Sequence, residues 1–265
     1  MIAVDMDGTL LDDEKNISPE TCAYLKQLSL DGHLIILASG RPLRTLKPYH
    51  DLLGLTTPLV CYNGSYVLSL HDPDFPSFKF SFPHEHLLDI IHRMDDAIVN
   101  VMIETTDDVW LHHSEPGLES FYTNGDVNFI YGDPALTLDE DALTLIIRLK
   151  DDSLEGKRKV IESVVPYKGY EIRFWHNTVY AELYEENMTK RDGLKYIANH
   201  YGIDQRHTIA FGDAENDLQM LDWAEIGVAM SNGNDIIKLH SDLLSVDDNN
   251  HDGVMKTLKL LLNQE

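Results

Sequence analysis

The sequence predicts an α/β fold: a doubly wound, mostly parallel sheet interrupted by an inserted α+β segment. Three observations predict it. Short runs at Ile2-Ala3-Val4, Leu34-Ile35-Ile36-Leu37-Ala38 and Leu59-Val60-Cys61-Tyr62 are apolar on both faces and are separated by helical spacing, as strands buried on both sides of a parallel sheet are. From near Phe80 to about Glu186 the segments read as antiparallel strands instead. After Lys190 the alternation of helix and strand resumes.

Taken in order, the first strand, Ile2–Val4, is broken by Gly8. Ser18-Pro19-Glu20 starts a helix, with Ser as N-cap and Pro at the first helical position. Helical spacing runs through Tyr24, Leu25 and Leu28 to Asp31-Gly32. The second strand, 34–38, ends at Ser39, a helix follows over 43–53, and a third strand over 59–62 ends at Asn63-Gly64. In the insert, 99–104 and 108–112 form a hairpin, 143–150 is a strand, and 170–175 and 179–184 flank the turn His176-Asn177-Thr178. Residues 87–94 and 154–165 are helical there. The C-terminal part reads as helix 190–201, strand 207–211, helix 215–223, strand 225–229, helix 233–240, a short strand 243–246 and helix 253–262. The junctions near Ser81-Phe82-Pro83 and Glu185-Glu186-Asn187 divide the chain into residues 1–81 with 187–265, and 82–186. Arg173 and Glu182 are polar positions of the insert whose direction depends on strand register.

Composition narrows the partners. A net charge of -24 argues against nucleic acid and anionic membranes, whose phosphates need Lys and Arg. No apolar run approaches the roughly 20 residues needed to span a bilayer. Ile2 already lies inside a strand, so no signal peptide is expected. Cys22 and Cys61 are too few for a disulfide framework and are expected to be reduced thiols in the cytoplasm. The oligomeric state is not legible.

Two acidic clusters carry the chemistry. Asp5-Met6-Asp7-Gly8-Thr9 follows the first strand, and alternation places Asp5 and Asp7 on one side. Two acids so close repel unless one keeps its proton or a cation lies between them. With a proton held, the pair is a nucleophile and a general acid; with a cation, it is half of a Mg²⁺ site. The second cluster, Gly212-Asp213-Ala214-Glu215-Asn216-Asp217, follows the apolar run Thr208–Phe211 and leads into a helical pattern. Ligands of open α/β sheets bind outside the carboxyl ends of the strands, so both clusters fall on one edge. Asp217, one helical turn after Asp213, shares its face.

Ser39 ends a strand and Gly40 allows close backbone approach, so a hydroxyl and an exposed N–H there would bind a phosphate oxygen or cap a helix. Lys190 stands at a helix start, where a cation opposes the macrodipole, which favours a functional role. His84-x-His86 and His112-His113 lack metal-site spacing and read as solvated or packed. Trp110, Trp175 and Tyr180 read as core or sheet-face residues. There is no dinucleotide fingerprint and no P-loop.

These strings together resemble the haloacid dehalogenase superfamily, and within it the Cof-type sugar-phosphate phosphatases. The matching residues are Asp5–Leu11, Ala38-Ser39-Gly40-Arg41-Pro42, Lys190 within Thr189–Leu194, and Gly212–Asp217. Further matches are Tyr62-Asn63-Gly64, Val228–Gly233 and Asn250–Val254. Many relatives carry Thr in place of Ser39, and the middle third matches only in pattern. The resemblance implies a Rossmann-like catalytic core with 82–186 as a specificity cap. It implies Asp5 as nucleophile and Asp7 as general acid and base. Mg²⁺ would be held by Asp5, Asp213 and the Asp7 backbone carbonyl. Asp217 would stand behind, orienting a metal-bound water or Lys190. Ser39, Gly40, Lys190 and Asn216 would contact phosphate, and Arg41 would either bind phosphate or hold the cap. The implied activity is Mg²⁺-dependent hydrolysis of small phosphorylated metabolites through an aspartyl-phosphate. The alternatives are phosphoryl transfer to a second sugar, as in a phosphomutase, or a non-catalytic sensor of phosphometabolites.

Overall fold

Five short parallel strands form the central sheet, in the order Leu243–Leu244, Ile226–Ala229, Ile209–Gly212, Ile2–Val4, Ile35–Leu37. The computed structural model describes residues 1–105, 108–119, 127–175 and 178–262, so His176 and Asn177 of the expected turn lie outside the described residues. The chain divides into two compact units, Met1–Lys79 with Met188–Glu265, and Phe80–Asn187. The fold is the α/β class expected, with a Rossmann-like parallel sheet in the first unit.

In that unit Ile2, Ala3 and Val4 are all buried, and burying side chains such as Ile2 and Val4 stabilises by about 1.5–3 kcal/mol each. Register aligns Val4 with Phe211 on one side and Leu37 on the other. Asp5 and Asp213 therefore leave neighbouring strand ends on the same edge. Helix Pro19–Leu30 starts as expected, with Ser18 Oγ accepting from the Thr21 N–H. Helix Lys190–Tyr201 opens on a capping box between Thr189 and Asp192 and ends at Gly202 in a left-handed conformation.

Several expectations are corrected. The third run, Leu59–Cys61, belongs to a separate antiparallel sheet with Tyr66–Leu68 and Phe78–Lys79. A single Ala38–Val60 bridge links it to the parallel strands. The segment 215–223 is a 3₁₀ turn, Glu215–Asp217, before helix Leu218–Trp223. Helix Asp235–His240 starts later than expected because Asn234 caps it, and the strand expected over 243–246 is only Leu243–Leu244.

The second unit is a six-stranded sheet covered by helices His84–Arg93 and Leu154–Val164. Leu87, Ile90, Val160 and Val164 pack with Val101, Ile103, Leu145 and Leu183. Strand Asn128–Tyr131, absent from the sequence reading, pairs in parallel with Asp108–Leu111. Ile172 and Phe174 face the helices, so alternation turns Arg173 to the opposite face. There Arg173 lies across from Glu182, 3.5 Å away, with its guanidinium over Tyr184. Among the described residues no helix is long and apolar enough to cross a membrane.

Candidate active site

All the candidate residues lie in the first unit; Asp5 and Asp213 directly follow strands Ile2–Val4 and Ile209–Gly212, and Lys190 opens helix Lys190–Tyr201. At their centre is Lys190, fully buried, with Nζ 2.5 Å from Asp5 Oδ1 and 2.6 Å from Asp217 Oδ1. Burial pulls its pKa down, but Asp217 and Asp5 outweigh that and raise it, so the ammonium stays charged. Asp5, Asp213 and Asp217 each offer an oxygen within 4.8 Å of the others. With one lysine among three carboxylates the cluster is formally anionic. Burial, followed by Asp217, pushes Asp5 well above the ordinary carboxylate range. The same two causes push Asp213 up to about 7.

The donor set fits a hard divalent cation. Asp217 is already committed: its Oδ2 accepts from the N–H groups of Asp213, at 3.0 Å, and Ala214, at 3.2 Å. It therefore folds back over the second acidic loop and grips Lys190, where helical spacing would merely have put it beside Asp213. Asp5 and Asp213 are the carboxylates left to hold a cation, and oxygen-only donors suit Mg²⁺. Thr9 Oγ1 donates to Asp213 Oδ1 at 3.2 Å. Gly8, at φ +74°, is required here: a Cβ would lie 2.4 Å from Asp213 Oδ2.

Asp7 departs from the reading by alternation. The first strand stops at Val4, and the Asp7 carboxylate joins Arg41 and Lys15. Arg41 grips it with two bonds, Nε to Oδ2 at 2.6 Å and Nη2 to Oδ1 at 2.7 Å, and Lys15 adds a third at 2.8 Å. Burial alone would raise its pKa, but Arg41 and then Lys15 hold it down at about 2. Asp5 and Asp7 thus have separate cationic partners and do not share a proton. Arg41, expected on phosphate or on the insert, sits on Asp7.

Ser39 is buried, and its N–H donates to Val60 O at 2.9 Å, so it is not an exposed donor. Its Oγ accepts from the Arg41 N–H at 3.1 Å, which shapes the loop before helix Leu43–Leu52. Gly40 is tight against Asn63, whose side chain a Cβ would meet at 3.2 Å. Asn216 Nδ2 donates to Asn63 Oδ1 at 3.0 Å. Asn63 thus ties the Ser39 loop to the second acidic cluster, a role that no spacing in the sequence indicates. Tyr62 and Asn63 both have positive φ, 48° and 53°, and such strain in non-glycine residues gathers at functional sites.

Lys15 was also missed, because nothing in its spacing links it to Asp7. The motifs Val228–Gly233 and Asn250–Val254 prove to be scaffolding. Asn232 Nδ2 donates to Gly8 O at 2.7 Å, and Asn250 Oδ1 accepts from the Asp13 N–H at 3.0 Å. Asp252 accepts from Ser18 and Thr21.

The grip of Arg41 on Asp7 yields a testable outcome. If Asp7 is a general acid, it must be protonated in the first chemical step, and Arg41 opposes that. Arg41→Ala raises the Asp7 pKa, so the alkaline limb of kcat/KM for an alkyl phosphate is expected to move to higher pH. An unmoved limb would separate Asp7 from acid catalysis.

A family model described as haloacid dehalogenase-like hydrolase matches residues 2–258. The 5-amino-6-(5-phospho-D-ribitylamino)uracil phosphatase YitU of Bacillus subtilis (strain 168) is 33% identical over 268 residues, covering 98% of this chain and 96% of that protein. The pyridoxal phosphate phosphatase YbhA of Escherichia coli (strain K12) is 27% identical over 271 residues, covering 96% and 95%. A solved haloacid dehalogenase-like hydrolase from Bacteroides thetaiotaomicron shares the fold, with a TM-score of 0.81 at 21% identity over 98% of both chains.

Proposed function

The chain belongs to the haloacid dehalogenase-like hydrolases and is a phosphatase, and we propose that it hydrolyses phosphomonoesters of sugar-like metabolites, with Mg²⁺ as cofactor, through an aspartyl-phosphate on Asp5. The observation that carries this reading is Lys190 held between Asp5 and Asp217 beside Asp213, at the edge where two strands end. Phosphorylated small molecules appear in the names of both curated relatives, one a ribityl phosphate and one pyridoxal phosphate. Both support a primary phosphate ester as substrate.

In this mechanism Asp5 attacks phosphorus in line, and the P–O bond to the metabolite breaks. Lys190 occupies Asp5 Oδ1, which fixes the carboxylate and presents its other oxygen. Asp7 gives its proton to the departing alkoxide. It then takes one from the water that attacks the phosphorus of the acyl phosphate, which returns Asp5 as carboxylate. Asp5 and Asp213 would hold Mg²⁺, which when bound neutralises charge on the phosphoryl oxygens. Asn63 and Asn216 position the loops around the phosphate. For Asp7 to act as acid, Arg41 must leave it, and an arriving phosphate is the anion that would draw Arg41 away. The second unit, Phe80–Asn187, is proposed to choose the substrate. The buried thiols Cys22 and Cys61 support a cytoplasmic location.

A screen of phosphorylated metabolites for phosphate release tests the reading. Polyol and sugar phosphates, the phosphoribitylaminouracil and pyridoxal phosphate are the compounds to include. Turnover is expected with Mg²⁺, and chelation is expected to remove it. Full activity in chelator would refute the metal assignment. Isomerised sugar phosphate without free phosphate would point to a mutase.

A further inference from the structure

We propose that His50, Asp51 and His71 form a binding site for a Zn²⁺-class divalent metal ion, apart from the catalytic carboxylates. His50 and Asp51 lie near the end of helix Leu43–Leu52, and His71 lies in the turn after strand Tyr66–Leu68. One ligand atom from each comes within 4.8 Å of the others. The sequence does not flag the trio, because 21 positions separate the histidines and no short spacing marks them.

The state of His50 carries the inference. Its side chain is fully buried, and Nε2 lies 2.9 Å from Thr57 O. A carbonyl only accepts, so Nε2 carries the proton and donates, which leaves Nδ1 with the lone pair. That Nδ1 is buried and has no hydrogen-bond partner among the described residues. A buried acceptor without a partner costs about 1–3 kcal/mol, so its retention calls for an explanation. A metal ion supplies one. Ligating histidines commonly donate their other ring N–H to a backbone carbonyl, as His50 does to Thr57.

The neighbours suit this. The rings of His50 and His71 stack with centroids 5.7 Å apart and 19° between planes. His71 is exposed on a turn whose N–H groups at His71 and Asp72 are held by Ser69 Oγ, which places its ring beside that of His50. Burial lowers the His50 pKa, which keeps the ring neutral and able to ligate. Asp51 supplies a carboxylate, with Lys47 Nζ 2.5 Å away as its present partner and the cation that a metal would displace. Two imidazoles and a carboxylate favour Zn²⁺ over Mg²⁺, with the fourth position left to water.

The test is a Zn²⁺ titration of the stripped, full-length protein in excess Mg²⁺, followed by calorimetry and by the ¹⁵N shifts of the histidine rings. One Zn²⁺ equivalent is expected, with the His50 Nδ1 resonance shifted. His71→Ala and Asp51→Asn should each weaken that binding by about 10-fold or more, and Lys47→Ala should tighten it. Both weakening changes are at exposed positions, so folding is retained, and His71→Ala should leave phosphatase turnover in Mg²⁺ within twofold of the parent. Binding unchanged in His71→Ala, Zn²⁺ fully displaced by Mg²⁺, or no shift at His50 Nδ1 would each overturn the site.

Discussion

Asp5→Asn is expected to abolish turnover, by at least about 10⁴-fold, while the fold persists. Asparagine is nearly the same size but cannot form the acyl phosphate, and loss of a nucleophile exceeds the roughly 10²–10⁴-fold of a general acid. Asp5 is buried among carboxylates that push its pKa up, so a neutral amide there relieves repulsion even as it weakens the bond to Lys190. The variant should therefore melt close to the parent temperature in chelator. Phosphate release above about a hundredth of the parent rate, with deamidation excluded by mass, would mean that another group attacks phosphorus.

Lys190→Met should lose both activity and stability. The ammonium is fully buried between two carboxylates, and deleting one partner of a buried ion pair costs about 3–5 kcal/mol, because the charges left behind lose their compensation. Loss of a cation at the transferring phosphoryl group should cost a further factor of about 10²–10³ in kcat. The stability loss should depend on pH. Without Lys190 the folded-state pKa of Asp5 rises beyond its already raised position, and Asp213 stands at about 7 in the parent. A carboxyl group whose folded pKa exceeds its unfolded value destabilises the fold once ionised, so stability lost at pH 7 returns as pH falls through the folded pKa. Urea unfolding in chelator at pH 7 and pH 5 reads this directly. An equal loss at both pH values would show that repulsion among Asp5, Asp213 and Asp217 is not its source.

The framework was legible because buried parallel strands write continuous apolar runs. Ile2–Val4, Ile35–Leu37 and Ile209–Gly212 are such runs, and each is followed directly by the loop it positions. Leu59–Cys61 looks the same in sequence, yet it joins an antiparallel sheet with Tyr66–Leu68. Apolarity reports burial, whereas pairing is decided by the left-handed residues Tyr62 and Asn63, which turn the chain back within a few residues. In the site, residue types and spacing brought Asp5, Lys190, Asp213 and Asp217 to one place. They did not reveal partner choice. Alternation assumes a strand, and the chain leaves the strand at Val4, so Asp7 meets Arg41 and Lys15 instead of Asp5. Asn63 was invisible as a brace because its contact to Asn216 spans 153 positions.

Trapping the phosphoryl group on the enzyme shows whether Asp5 carries it. The enzyme would be mixed with Mg²⁺ and a good substrate, quenched in acid within a turnover, reduced with borohydride and digested. Borohydride converts an aspartyl-phosphate to homoserine, so the peptide bearing Asp5 should show that mass change only when substrate was present, and the Asp5→Asn enzyme should not show it. Homoserine at Asp7 or Asp213 instead, or an unmodified Asp5 peptide during a clear burst of released metabolite, would mean that Asp5 is not the nucleophile.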